Sequence, residues 1–409
     1  MDRKIGRAMR RWVKASARAG ALGGATLAGT LVAVLACTPG KTPASEPREP
    51  PVDASWLRTE LERIRAQTGV PGLAAAVVDR GGVIAIAAAG RRRVDEEVPL
   101  AVSDKFHLGS DTKAMTAFVV ARMVERGRLR WDLTLAEAFP EWRASMNEAY
   151  RPVQLKDVLR HRAGMPSLTS AADEALLEGI DEENQPLVAQ RLALARNVLH
   201  RPPAVRPGEK WLYSNAGYVV VGALLERVAG KPWEEVMREE LFVPLRMDSC
   251  GFGPPAVGAA RGQPFGHRVV EGAYRPTDED NSALIGPAGT VHCALPDWAS
   301  FARANMEPSP VPRLKPETLA LLHEPVPMET PQGDAVGYAM GWGSAPAIWA
   351  QGQMLLHDGS NGHHRARIRL GPKRGLGFLI VTNAGDDRAL QTVRRTFEKL
   401  VDRMGGQRR

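Results

Sequence analysis

Cysteine is scarce in this chain: three residues in 409, at Cys37, Cys250 and Cys293. That excludes a disulfide-dense scaffold and a thiolate-rich metal centre. The nine histidines include no H-x-H and no H-E-x-x-H. The doublet His363-His364 reads as structural or surface, so no metal and no cofactor are expected. No G-x-S-x-G occurs, which removes the nucleophile elbow of α/β-hydrolases. Internal repeats are absent. The body also lacks an excess of charge. The formal net charge is +8, but residues 1–36 hold seven Lys/Arg and one Asp, which is +6. The remainder carries 8 − 6 = +2. A body so near neutral has no electrostatic footprint for nucleic acid.

What is present begins with a targeting signal. A basic start leads into the apolar run AGALGGATLAGTLVAVLA, and Cys37 follows it. Val34-Leu35-Ala36-Cys37 resembles a bacterial lipobox, in which the cysteine is lipidated and becomes the new N-terminus. An uncleaved membrane anchor is the alternative, since the run is nearly long enough to span a bilayer. Residues 38–53, rich in proline and charge, read as a tether. The expectation is an exported, membrane-anchored lipoprotein facing the periplasm or cell exterior. Export permits a disulfide between Cys250 and Cys293; two unpaired cysteines are the alternative.

The body, 54–409, reads as α+β. Trp56 to Gln67 has helical spacing, and GLAAAVVD and GVIAIAAAG follow as an apolar hairpin. QMLLHDG, HHRARIRLG and GLGFLIVTN read as three more strands, then a helix from about Ala389 to Met404. Continuously apolar strands imply a sheet covered on both faces. Both chain ends therefore build one sheet of about five or more strands flanked by helices. A mostly helical region, about 109–335, is inserted between them, and the cleft between the parts is the natural site.

Three motifs carry the chemistry. Ser110 and Lys113 lie three apart at the start of a helical repeat (Met115, Phe118, Val119, Met123), so they share a face. Cations are disfavoured at a helix N-terminus. A desolvated lysine there loses its proton readily, and a neutral amine can activate the serine. A capping serine beside a snorkelling lysine is the bland alternative. Tyr213-Ser214-Asn215 stands on a loop before a helix, Gly217 to Val228. A phenol beside lysine ammonium is expected to titrate below about 10 and so serve as a base. Asn215 can hold a substrate carbonyl and tie the lysine. His357-Asp358-Gly359 ends a strand whose edge could receive substrate. There the backbone N–H of Ser360 could join that of Ser110 as an oxyanion hole.

In this order, S-x-x-K, Y-x-N and H-x-G resemble the serine β-lactamase and penicillin-binding protein superfamily, in particular its class C branch with DD-peptidases, D-aminopeptidases and esterases. VQLKDVLRHRAGMP, RPGEKWLYSNAGYVVVGALLERVAG, LFVPLRMDSCGF, GPAGTVHCALPDWASFA and GYAMGWG share the likeness. It runs from about Trp56 to the C-terminus. It implies a β-lactamase/transpeptidase-like fold. Ser110 would be the acylated nucleophile, Lys113 its proton partner and Tyr213 the general base. Asn215, His357, Gly359 and Ser360 would bind substrate, a small molecule or peptide. The reaction would be hydrolysis of an ester, D-amino-acid amide, β-lactam or peptide. A non-catalytic penicillin-binding or sensor protein on the same fold is the alternative. His357 stands where the family often has lysine, which implies weak attraction for substrate carboxylates and a preference for short esters over β-lactams. Arg162-Ala163 replaces the usual Thr-Ser after His161.

The N-terminal reading has a direct test. Expressed in a bacterial host, the protein should partition into detergent, and Cys37→Ala should release it or block processing. Equal membrane association of both forms would indicate an uncleaved anchor instead.

Overall fold

A computed structural model describes residues 52–405, apart from 170, 182, 258–261, 307–313 and 329–335. Cys37 and almost all of the proposed tether lie outside the described residues. The two ends of the body meet as expected. Helix α1 (Ala54–Thr68) is opened by Asp53, whose carboxylate accepts the Trp56 N–H at 2.8 Å, and is closed by Gly69 at φ 74°. Strands β1 (Gly72–Asp79) and β2 (Val83–Gly90) form the apolar hairpin.

From the other end come β3 (Val326–Pro327), β4 (Gly337–Tyr338), β5 (Gly343–Ala347), β6 (Gly352–Ser360), β7 (Arg365–Gly371) and β8 (Leu376–Thr382). All eight strands make one antiparallel sheet in the order β2-β1-β8-β7-β6-β5-β4-β3. The first and last segments are neighbours because β1 pairs with β8, from Leu73↔Thr382 to Asp79↔Leu376.

The period-2 rule sorts the strand residues onto two cores. Leu73, Ala75, Val77, Phe378 and Ile380 face α1 and the C-terminal helix, together with Leu57, Leu61, Ile64, Val393 and Leu400. Ala74, Ala76, Val78, Leu379 and Val381 face the helical region and meet Met115, Phe118 and Val119. The C-terminal helix runs Asp387–Arg403 and buries Ala389, Thr392, Val393, Thr396, Leu400 and Val401. Phe397 and Met404 pack against the same core, Phe397 meeting the rings of Trp349 and Phe378.

The inserted region carries α2 (Thr112–Glu125) and α3 (Asn215–Ala229), both almost wholly buried. It is less uniformly helical than its composition suggested. A strand at Lys105–His107 pairs with Val291–Ala294, which also pairs with Gly251–Phe252. Cys250 and Cys293 form a disulfide there, with Cα atoms 4.2 Å apart. The bond braces the small sheet that leads into Ser110.

Buried histidines make this fold acid-sensitive. Desolvation holds His267 and His292 down to about 4, and pushes His161 and His364 well below the ordinary histidine value. The unfolded chain therefore binds more protons than the folded one below about pH 6.5, and stability falls as pH drops from there toward 4. Each affected histidine costs up to about 1.4 kcal/mol per pH unit in that window. Calorimetry should show Tm several degrees lower at pH 5 than at pH 7.5; a flat Tm across that range contradicts this account.

Candidate active site

Four elements converge on Ser110. It sits in the single 3-10 turn Gly109–Asp111 that opens α2, where the Thr112 hydroxyl donates to Gly109 O at 2.7 Å. Gly109 has φ 52°, and a β-carbon there would lie 2.3 Å from Ser360 N. Gly359 is equally constrained, since its β-carbon would meet Leu108 O at 1.8 Å and Ser110 N at 3.0 Å. These two glycines let the nucleophile turn touch the backbone of β6. The Ser110 N–H is thereby brought next to the Gly359-Ser360 peptide. The edge of β6 is open here, because β5 pairing stops at Gly343↔Leu356.

Lys113 is fully buried one turn into α2. Its Nζ lies 2.7 Å from Asn215 Oδ1, 2.7 Å from Ala288 O and 3.2 Å from Ser110 Oγ. The Tyr213 hydroxyl donates to Ser110 Oγ at 2.8 Å. Desolvation drives the Lys113 pKa well below its ordinary value, opposed by the charge of Asp111. Desolvation also raises the Tyr213 pKa, with Asp111 adding to the rise and the Ser110 hydrogen bond opposing it. The expectation that lysine lowers the tyrosine pKa is thus corrected. Burial favours the neutral form of both groups, which opposes a phenolate held by an ammonium.

The polarity of the bonds follows. A neutral amine donates to Asn215 Oδ1 and Ala288 O and keeps its lone pair for the serine proton, while the phenol points its own proton at Ser110 Oγ. Asn215 spends its carbonyl on Lys113; its amide nitrogen has no protein partner among the described residues.

His357 departs from the sequence reading. It shares the face of β6 with Gly359, toward Ser110, but its ring is only 6% exposed. Nε2 lies 3.2 Å from the Tyr338 hydroxyl, Nδ1 3.2 Å from Asp358 O and 3.3 Å from Asp111 Oδ1. Both nitrogens face protein atoms, so the ring is not presented to substrate as expected. The Ser360 hydroxyl is also turned away and donates to His364 O at 2.8 Å. That leaves the Ser360 backbone N–H for the role proposed from sequence. His364 is buried, as a structural reading of the doublet requires.

Three features were missed. His161, at φ 59°, accepts the Ser214 N–H on Nδ1 at 3.1 Å and the Leu212 N–H on its carbonyl at 3.0 Å. It therefore brackets Tyr213 on both sides, and its ring packs against Tyr213, Tyr218 and Tyr338 with centroids 4.6, 5.4 and 4.7 Å away. The segment VQLKDVLRHRAGMP was the available signal. Ala288 O holds Lys113 but, as a backbone carbonyl, has no sequence signature. Asp111 is a buried carboxylate beside the nucleophile, hidden in the variable part of S-x-x-K.

Comparison with known proteins gives the family and the fold. Penicillin-binding protein 4 of Amycolatopsis lactamdurans is 25% identical over 343 residues, covering 82% of this chain and 86% of that one. Protein flp of Staphylococcus aureus (strain N315) is 20% identical over 81% of this chain, which spans 64% of flp's length. The crystal structure of D-amino acid amidase from Ochrobactrum anthropi SV3, complexed with L-phenylalanine amide, superposes with a TM-score of 0.70 at 19% identity, over 86% of this chain and 98% of that one. The Beta-lactamase family profile matches residues 57–402, and the chain belongs to that family.

Proposed function

We propose that the protein is a serine hydrolase that passes its substrate through an acyl-enzyme on Ser110. One observation carries this: Ser110 Oγ lies between a buried, desolvated Lys113 amine at 3.2 Å and the Tyr213 phenol at 2.8 Å. Lys113 takes the Ser110 proton as Oγ attacks the carbonyl carbon. The carbonyl oxygen becomes an oxyanion facing the Ser110 and Ser360 N–H groups. Tyr213 gives its proton to the leaving oxygen or nitrogen, the bond to the leaving group breaks, and Lys113 returns a proton to Tyr213. Water then enters along the same route, releasing the acid and restoring Ser110. Tyr213 is here a proton donor before it is an acceptor, which follows from its raised pKa.

The substrate is an ester or an amide of the kind its relatives' names suggest. No ammonium from His357's position favours a substrate carboxylate, so short neutral esters should be turned over faster than β-lactams. A complete Ser110, Lys113, Tyr213 and Asn215 constellation argues against a non-catalytic sensor. The Cys250–Cys293 disulfide supports the proposal of an exported, oxidising location, tethered through Cys37.

A fluorophosphonate should add once to the protein by intact-mass spectrometry, and Ser110→Ala should abolish the adduct; an undiminished adduct overturns the assignment. Lys113→Ala and Tyr213→Phe should each lower kcat/KM for p-nitrophenyl butyrate by about a hundredfold or more while leaving the far-UV circular dichroism unchanged. His161→Ala should lower kcat with little change in KM, because it displaces Tyr213 and not the substrate. Higher kcat/KM on nitrocefin than on p-nitrophenyl butyrate would sink the ester preference.

A further inference from the structure

Asp111 follows the nucleophile directly and is 1% exposed. An acid in that position is costly, because a buried carboxylate gives up its hydration. Its nearest cationic candidate is His357, at 3.3 Å from Oδ1 to Nδ1, with no well-aligned hydrogen bond to either carboxylate oxygen. Around it stand Lys113 from its own helix, Asp358 from β6, Arg369 from β7, and the phenols Tyr213 and Tyr338. Asp358 pairs with both Arg367, at 2.8 Å, and Arg369, at 3.0 Å, so this cluster carries one positive charge in excess beside Asp111.

We propose that Asp111 is a specificity-determining residue, whose carboxylate beside His357 offsets positive charge in the wall next to Ser110, so that carboxylate-bearing leaving groups are disfavoured. With one proton between them the pair is neutral, whether that proton sits on oxygen or nitrogen. Without it the pair carries −1. Desolvation lowers the proton affinity of Lys113, whose Nζ is held by Ser110, Asn215 and Ala288. A substrate carboxylate entering here loses water and gains no partner. One unit of charge in this wall should change the preference between charged and neutral leaving groups by about tenfold or more. The same charge acts on the chemistry, since an ionised Asp111 holds the proton on Lys113 more firmly.

The inference rests on the serine-hydrolase reading, and its test separates the two. Matched substrates are the butyrate esters of 3-hydroxybenzoate and of its methyl ester, which differ in one leaving-group charge. The purified protein should prefer the neutral ester at least tenfold in kcat/KM. In Asp111→Asn that ratio should fall about tenfold, and in Asp111→Asn/His357→Lys further still. His357→Lys alone should change the ratio by less than about threefold, because Asp111 still cancels the new charge. The acid limb of the pH profile on the neutral ester should move to lower pH in Asp111→Asn, which a purely structural role would not produce. Should the variants fail to fold, inhibition of the unaltered protein by phenylboronic acid and its 3-carboxy derivative replaces them, with the neutral compound at least tenfold tighter. Equal loss on both esters in Asp111→Asn, or equal affinity for both boronates, overturns the proposal. Absence of any fluorophosphonate adduct or boronate binding would instead overturn the hydrolase reading.

Discussion

The site depends on one constraint: a lysine amine placed where water cannot reach it. Lys113 is fully buried. An ammonium in that position would lose its hydration, and the partners available are a carbonyl, an amide oxygen and a hydroxyl, none of them charged. The protein meets the cost by favouring the neutral amine. That choice fixes the rest. A neutral amine has two donors and one lone pair, so two acceptors and one donor are what the surroundings must offer. Asn215 at the start of α3 and Ala288 in the segment before the Val291–Ala294 strand are the acceptors, and Ser110 is the donor. Three segments distant in sequence must therefore meet within hydrogen-bonding reach of one nitrogen.

Close approach of backbones is the second requirement, and it is met by glycine. Gly109 and Gly359 face each other across a gap that no β-carbon fits. Their contact sets the Ser110 turn against β6 and leaves the strand edge beyond Leu356 open for substrate. The disulfide at Cys250–Cys293 acts one layer further out, holding the strand that pairs with Lys105–His107 and hence the approach to the same turn.

Much of this was legible in the sequence, for reasons that differ by element. β1, β2 and β8 are continuous apolar runs, whose hydrophobicity reports burial on both faces, while β7 alternates arginine with Ala366, Ile368 and Leu370 at the period of a strand. S-x-x-K announced its geometry because residues three apart on a helix share a face. β3, β4 and β5 were not visible, since GSAPA and the two-residue strands are too short and too rich in Pro and Gly to show alternation. The direction of the Tyr213 shift was misread because the sequence shows a lysine nearby but not the absence of water around it. His357 was placed on the correct strand, but its ring orientation depends on Tyr338 and Asp111, which reach it from other elements. His161 was seen without a role, because its work is done by a left-handed backbone and two hydrogen bonds that only the folded loop defines.

His357 and Asp111 act on the charge of the site in the same direction. His357 replaces the lysine often found in the third motif, and taken alone that substitution only weakens a positive charge. Asp111 takes the change further, because its carboxylate offsets whatever charge the imidazole acquires. Together they leave the position with less positive charge to draw anions than a lysine would supply. An ionised Asp111 also raises the proton affinity of both Lys113 and Tyr213. The acid beside the nucleophile therefore links two properties that a lysine would have kept apart: which substrates approach, and how readily the serine is activated once they do.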